Sequence, residues 1–115
     1  MADTKLALYT SGQGRTITVD HTGPASYPTG GETVGTVNVP DGIVVQGLST
    51  IDMINVAGPT VSGNYAVIPQ CTGTGNRKTW KLIWVTANSG IPTTTQVTNG
   101  TNLSAETVRT VYDGR

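Results

Sequence analysis

The chain has 115 residues, with seven Lys or Arg and seven Asp or Glu, so its formal net charge is zero. Only 12% of the residues are charged, against about a quarter in average proteins. This length fits one domain, and the lack of a basic excess argues against a protein that binds nucleic acid by neutralising phosphates. Thr, Gly and Val supply 49 residues, a composition typical of β-sheets joined by glycine turns.

The sequence also lacks the usual membrane and export signals. No run of 18 or more apolar residues is present, so we expect no transmembrane helix and no membrane partner. Met1–Leu6 has no basic segment followed by an apolar one, which argues against a secretory signal. Cys71 is the single cysteine and cannot form an internal disulfide, so a reducing compartment, or a protein indifferent to the state of its thiol, is the simpler interpretation.

Short apolar or β-branched runs alternate with turn signals along the chain and predict strands. Arg15–Val19 alternates strictly, which places Ile17 and Val19 on one face of its strand. In the same way, Val37 and Val39 share one face of the third predicted strand. The nine predicted strands are, in chain order, Leu6–Thr10, Arg15–Val19, Thr33–Val39, Ile43–Gln46, Ile51–Val56, Tyr65–Ile68, Thr79–Thr86, Thr93–Val97 and Thr107–Tyr112.

The connections between these strands contain specific turn residues. Asp20–Gly31 is rich in Gly and Pro and is predicted to be a loop, and Pro69 is predicted to end its strand. Asn99 and Gly100 form the dipeptide that favours a type I′ hairpin turn. Nine short strands with turns every 8–12 residues predict a single all-β domain over residues 1–115, a sandwich or a barrel, in which Met1–Lys5 forms a possible N-terminal arm.

The residues that could carry chemistry are few and scattered. His21 is the only histidine and lies in the predicted loop, with no recognisable nucleophile or orienting acid at a catalytic spacing. One His and one Cys cannot assemble a structural zinc site. We therefore expect His21 to be an ordinary loop residue, Cys71 to be a small half-buried side chain, and the protein to have no catalytic residues, no metal and no cofactor.

Two tryptophans fall on one strand face. Trp80 and Trp84 lie four residues apart in the strand predicted at Thr79–Thr86. Paired aromatic rings can fill a core, anchor a contact between subunits, or stack on sugar rings as in a lectin. The chain has only six aromatic residues, which favours the core, but the other two interpretations remain open.

Four short segments, in this order, resemble a known family. They are Tyr27–Glu32 (YPTGGE), Gly47–Asp52 (GLSTID), Ser62–Tyr65 (SGNY) and Asn99–Arg109 (NGTNLSAETVR). Together they are similar to small structural proteins of tailed bacteriophages, including head decoration or cement proteins of the cyanophage type. The resemblance implies a jelly-roll-like antiparallel β-sandwich of eight or nine strands that forms a homotrimer on the outside of the capsid.

The resemblance further implies that the protein stabilises the head by binding the major capsid protein, without enzymatic activity, cofactor or nucleic acid. It would be found in the virion after assembly in the host cytoplasm. Gln70–Arg77 and Ile91–Thr95 depart from the family pattern, so a place in the tail or baseplate stays open, as does a carbohydrate-binding module that uses both tryptophans. Met1–Lys5 and the loop Asp20–Gly31 are candidate arms to neighbouring subunits. The candidate contact residues are Tyr27, Thr29, Glu32, Arg77, Lys78, Trp80 and Trp84.

Overall fold

A computed structural model describes residues 4–11, 14–38, 42–72, 79–88 and 90–115 of the chain. Each of the nine predicted strands corresponds to an observed one, and no helix occurs within these ranges. The strands are β1 (Thr4–Ser11), β2 (Gly14–Thr22), β3 (Glu32–Thr36), β4 (Ile43–Val45), β5 (Ile51–Val56), β6 (Tyr65–Thr72), β7 (Thr79–Asn88), β8 (Ile91–Gln96) and β9 (Thr107–Gly114).

The strands form two sheets. The first has the order β1-β2-β9-β5, and all of its neighbouring strands are antiparallel. The second has the order β4-β3-β7-β6, with β8 paired to the end of β7. The chain crosses between the sheets after β2, β4, β5 and β8, and the fold is an all-β sandwich. One expectation is wrong in detail, because the short strand β4 runs parallel to β3.

The core lies between the two sheets and follows the alternation of side chains along the strands. Ile17 and Val19 of β2 are buried as predicted, opposite Leu82 and Trp84 of β7, which have no exposed surface. Loops contribute as well, because Leu48 and Leu103 are fully buried although neither lies in a strand. Strands and loops therefore both contribute side chains to the core between the two sheets.

Several strand limits differ from those predicted. β6 continues through Pro69 to Thr72, because β6 is an edge strand and the N–H that proline lacks is tolerated at an edge. β3 ends at Thr36, Val37 is 46% exposed, and Val39 lies outside the described residues, so the predicted shared apolar face is not observed. Cys71, in the same extension of β6, is exposed rather than half-buried.

The Asn99–Gly100 turn exists, but it does not join a hairpin. Gly100 has a φ of 86°, and the Thr101 N–H donates to the Thr98 carbonyl oxygen at 3.2 Å. The strand before this turn, β8, pairs with β7, whereas the strand after it, β9, pairs with β2 and β5. The turn therefore carries the chain from one sheet to the other, which the dipeptide alone cannot indicate.

Candidate polar site at one end of the sandwich

Tyr27 anchors the loop after β2, which was predicted as a candidate for contacting neighbouring subunits. Its side chain has no exposed surface, and its hydroxyl oxygen accepts hydrogen bonds from the Trp84 backbone N–H at 3.1 Å and from Gln96 Nε2 at 2.8 Å. Its backbone is bonded to the turn at residues 98–101, through the N–H groups of Tyr27 and Gly100. The loop after β2 is thus held against the turn at residues 98–101.

Two of the five residues predicted for the N-terminal arm belong to a strand. Thr4 and Lys5 belong to β1 and pair with Asp20 and Val19 of β2. Residues 1–3 of the expected arm lie outside the described residues. In the described part of the chain, both candidate arms are therefore integrated into the fold.

His21 lies in β2 and not in a loop, which corrects the prediction for this residue. It is 2% exposed, and its Nε2 lies 2.9 Å from Glu32 Oε1. It continues the inward face of Ile17 and Val19 at the next alternate position. That period-two pattern was the signal in the sequence that could have placed His21 inside, but the neighbouring Gly-Pro turn obscured it.

Glu32, the first residue of β3, is the centre of a buried polar cluster. Its Oε1 accepts hydrogen bonds from His21 Nε2 at 2.9 Å and from the Trp84 indole Nε1 at 2.6 Å. The His21 and Trp84 rings also contact one another, with centroids 6.2 Å apart and planes tilted by 54°. Two donors on one oxygen hold the carboxylate in a fixed orientation, and its side chain keeps only 11% of its surface exposed.

This cluster forms part of the wall of an open cavity of about 670 Å³. The cavity is bounded by the end of β2, the loop that follows it, the start of β3 and residues 42–44, with Lys81 of β7 as a further lining residue. Pro24, Pro28 and Ile43 supply apolar surface, and Thr29 supplies an exposed polar edge. Its volume falls in the range of roughly 300–1,000 Å³ that is typical of small-molecule sites.

The charges around this cavity are balanced. Glu32 is the one carboxyl group and Lys81 the one lysine among the described residues that line it. Within the described chain, Lys81 forms no ion pair, whereas Glu32 lies 2.9 Å from His21, and the pairs Asp20–Arg109 and Asp52–Arg115 lie outside the cavity lining. No group of three or more metal-ligating side chains occurs in the described ranges.

The candidate contact residues are spread over different environments. Thr29 is exposed and Glu32 is largely buried, as described above. Tyr27 and Trp84 have no exposed surface, so the structure places them in the core rather than on a contact surface. Arg77 and Lys78 lie outside the described residues.

The tryptophan pair does not form a platform for sugar rings. Trp84 is fully buried, and Trp80 is partly buried against the core, with its Nε1 donating to the Ile51 carbonyl oxygen at 3.2 Å. A stacking platform needs one face of each tryptophan ring to be exposed to solvent. The structure therefore contradicts the interpretation in which Trp80 and Trp84 together bind carbohydrate, and it confirms the core position of Trp84.

Comparisons with known proteins identify no relative: no family model, no curated protein and no solved structure matches the chain. Among the described residues, no helix has the length and apolar character needed to cross a membrane.

Proposed function

We propose that this chain is a decoration protein of a tailed-bacteriophage head. In this proposal a homotrimer binds the outer surface of the major capsid protein shell and stabilises it, without enzymatic activity. The order of the four short segments supports this assignment, and so does a compact all-β fold with no net charge, which has no general attraction for packaged nucleic acid.

The observation that carries the proposal is a fixed apolar tip, which we define as Pro59, Val61 and Ile91. Val61 is 89% exposed and Ile91 is 70% exposed. Pro59 and Val61 precede β6 and Ile91 begins β8, and these two segments adjoin at Gly63 and Gly90. A surface that exposes apolar side chains from both segments is suited to binding another protein. The tip is therefore the surface that we assign to capsid contact.

The backbone around the tip is held in place by hydrogen bonds. The Val61 N–H donates to the Thr107 carbonyl oxygen at 3.1 Å, and the Gly90 N–H donates to the Gly63 carbonyl oxygen at 3.1 Å, which joins the two loops that carry the tip. A preorganised surface loses little conformational entropy on binding, and a trimer would present three copies of it at once. Modest individual contacts would then give strong attachment.

The test begins with mass spectrometry of purified virions and continues with co-sedimentation of the protein with heads that lack it. We expect the protein in the head fraction, and at least a tenfold loss of affinity for the double variant Val61→Asp/Ile91→Asp. Val37→Asp is the matched control, because Val37 is also an exposed apolar residue but follows the end of β3, outside the two segments that carry the tip. Absence from virions, or equal binding by the double variant, would reject the proposal, and recovery in the tail fraction would replace it with a tail or baseplate role.

A further inference from the structure

We propose that the cavity beside Glu32 binds a neutral, polyhydroxylated ligand, a short saccharide, with Glu32 accepting hydrogen bonds from its hydroxyl groups and Lys81 donating to them. This inference concerns a different surface from the apolar tip and does not depend on capsid attachment. It also differs from a tryptophan platform. The ligand would be recognised by a carboxylate and an ammonium group, not by stacking on the two indole rings.

The first step is the state of the Glu32 carboxylate. Both hydrogen bonds from His21 and Trp84 go to Oε1. Within the described residues, these two hydrogen bonds leave Oε2 without a donor, and because Glu32 lines the cavity we infer that Oε2 is the oxygen that a ligand reaches. A largely buried carboxylate loses much of its hydration, and an oriented acceptor with one unoccupied oxygen recovers that loss when a ligand donates to it.

The second step is the charge that a ligand would meet. With His21 counted as neutral, as in the formal net charge of the chain, the carboxylate of Glu32 and the ammonium group of Lys81 sum to zero around the cavity. A cationic ligand would be attracted by Glu32 and repelled by Lys81, and an anionic ligand would meet the reverse. A hydroxyl group donates to a carboxylate and accepts from an ammonium group, so a neutral polyol can satisfy both.

The third step is the shape and chemistry of the remaining wall. Pro24, Pro28 and Ile43 are apolar and suit the C–H faces of a sugar ring, while the hydroxyls of Thr22 and Ser26 extend the polar lining. The arrangement fits binding rather than hydrolysis, because a glycosidase ordinarily uses two carboxyl groups and Glu32 is the one carboxyl group in the described lining.

The indole N–H signals of the two tryptophans allow ligand binding to be measured by NMR. The Trp84 indole N–H bonds Glu32 directly, whereas the Trp80 indole N–H bonds the Ile51 carbonyl oxygen, so their two signals in a ¹⁵N–¹H NMR spectrum report on the site and on a reference position. The protein is titrated with maltotriose, cellotriose and the trimer of N-acetylglucosamine. We expect a saturable shift of the Trp84 signal with at least one of them, a Kd no weaker than about 10 mM, and a Trp80 signal that stays in place.

Variants and charged probes make the test decisive. Glu32→Gln and Lys81→Gln should each weaken saccharide binding at least tenfold, whereas Asp52→Asn, an exposed carboxylate outside the cavity lining, should bind like the parent chain. Lys81→Gln keeps the test valid if the loss of the buried carboxylate at Glu32 prevents folding.

Three results would overturn the inference: no saturable shift with any saccharide, a shift with agmatine or inorganic phosphate alone, or unchanged saccharide affinity in both variants. None of these results bears on capsid attachment, so the two proposals fail separately.

Discussion

Trp84 combines two roles at the residue scale, since it fills the core and donates a hydrogen bond to Glu32. Its ring has no exposed surface, so Trp84→Ala should lower the free energy of unfolding by about 3–5 kcal/mol through the cavity that it leaves. Trp84→Phe keeps most of the ring but removes the indole N–H, and we expect it to cost about 1–2 kcal/mol. Urea denaturation measures both values, and a loss below about 1 kcal/mol for Trp84→Ala would show that the ring is not core.

Two neighbouring glycines beside the cavity separate backbone strain from steric overlap. Gly30 and Gly31 have φ angles of 93° and 103°, so alanine is strained at either position by roughly 1–2 kcal/mol. A Cβ on Gly30 would meet nothing within 4 Å, whereas a Cβ on Gly31 would lie 2.5 Å from Ile83 Cδ1 and 2.8 Å from the Leu82 carbonyl oxygen.

We therefore expect Gly31→Ala to destabilise the protein by about 1–3 kcal/mol more than Gly30→Ala, since overpacking adds to the strain. Thermal or urea unfolding of the two variants side by side provides the comparison. Equal losses would mean that the wall formed by Leu82 and Ile83 yields easily to an added methyl group.

The polar cluster shows where residue-level prediction from the sequence reaches its limit. Alternation along β2 predicted Ile17 and Val19 correctly, and extending it by one step would have placed His21 inside. Nothing local to Glu32 indicates its partners, because Trp84 follows it by 52 positions and the contact exists only once β3 and β7 pair. Hydrogen bonds across the core depend on the register of distant strands, which a single sequence does not display.

At the element scale, the edge strands of the two sheets are the positions at which a strand of another copy would pair. β6 is an edge strand with Pro69 near its middle, and a proline removes one of the donors that an incoming strand would use. Pro69→Val should therefore leave the stability within about 1 kcal/mol of the parent but increase self-association. Sedimentation velocity over a range of concentrations measures this change, and an unchanged distribution of species would contradict the protective role of Pro69.

The elements also show why strand positions were easier to predict than their connections. Period-two runs and Gly or Pro turns located all nine strands, because these signals are local. The Asn99–Gly100 turn has its predicted positive φ at Gly100, yet the strands on either side of it belong to different sheets. The choice of partner depends on which strand completes the core, and in this fold that partner is often remote in sequence.

At the scale of the whole molecule, the proposed trimer gives a direct expectation. The solution mass should be about 36 kDa, three copies of a chain of 11.9 kDa, because closed threefold symmetry allows one patch to repeat around an axis. Light scattering coupled to size-exclusion chromatography measures this mass. The melting temperature should also rise with protein concentration, since association stabilises the folded chain. A monomer whose melting temperature is independent of concentration would contradict the trimer.

The pairing of β2 with β9 has a consequence for the order in which the first sheet forms. Asp20 lies opposite Arg109, 89 residues further along the chain. β1 and β2 are neighbours in sequence and can pair as a hairpin, whereas β5 has no partner in this sheet until β9 has been synthesised. A nascent chain therefore cannot complete the first sheet before residues 107–114 have left the ribosome.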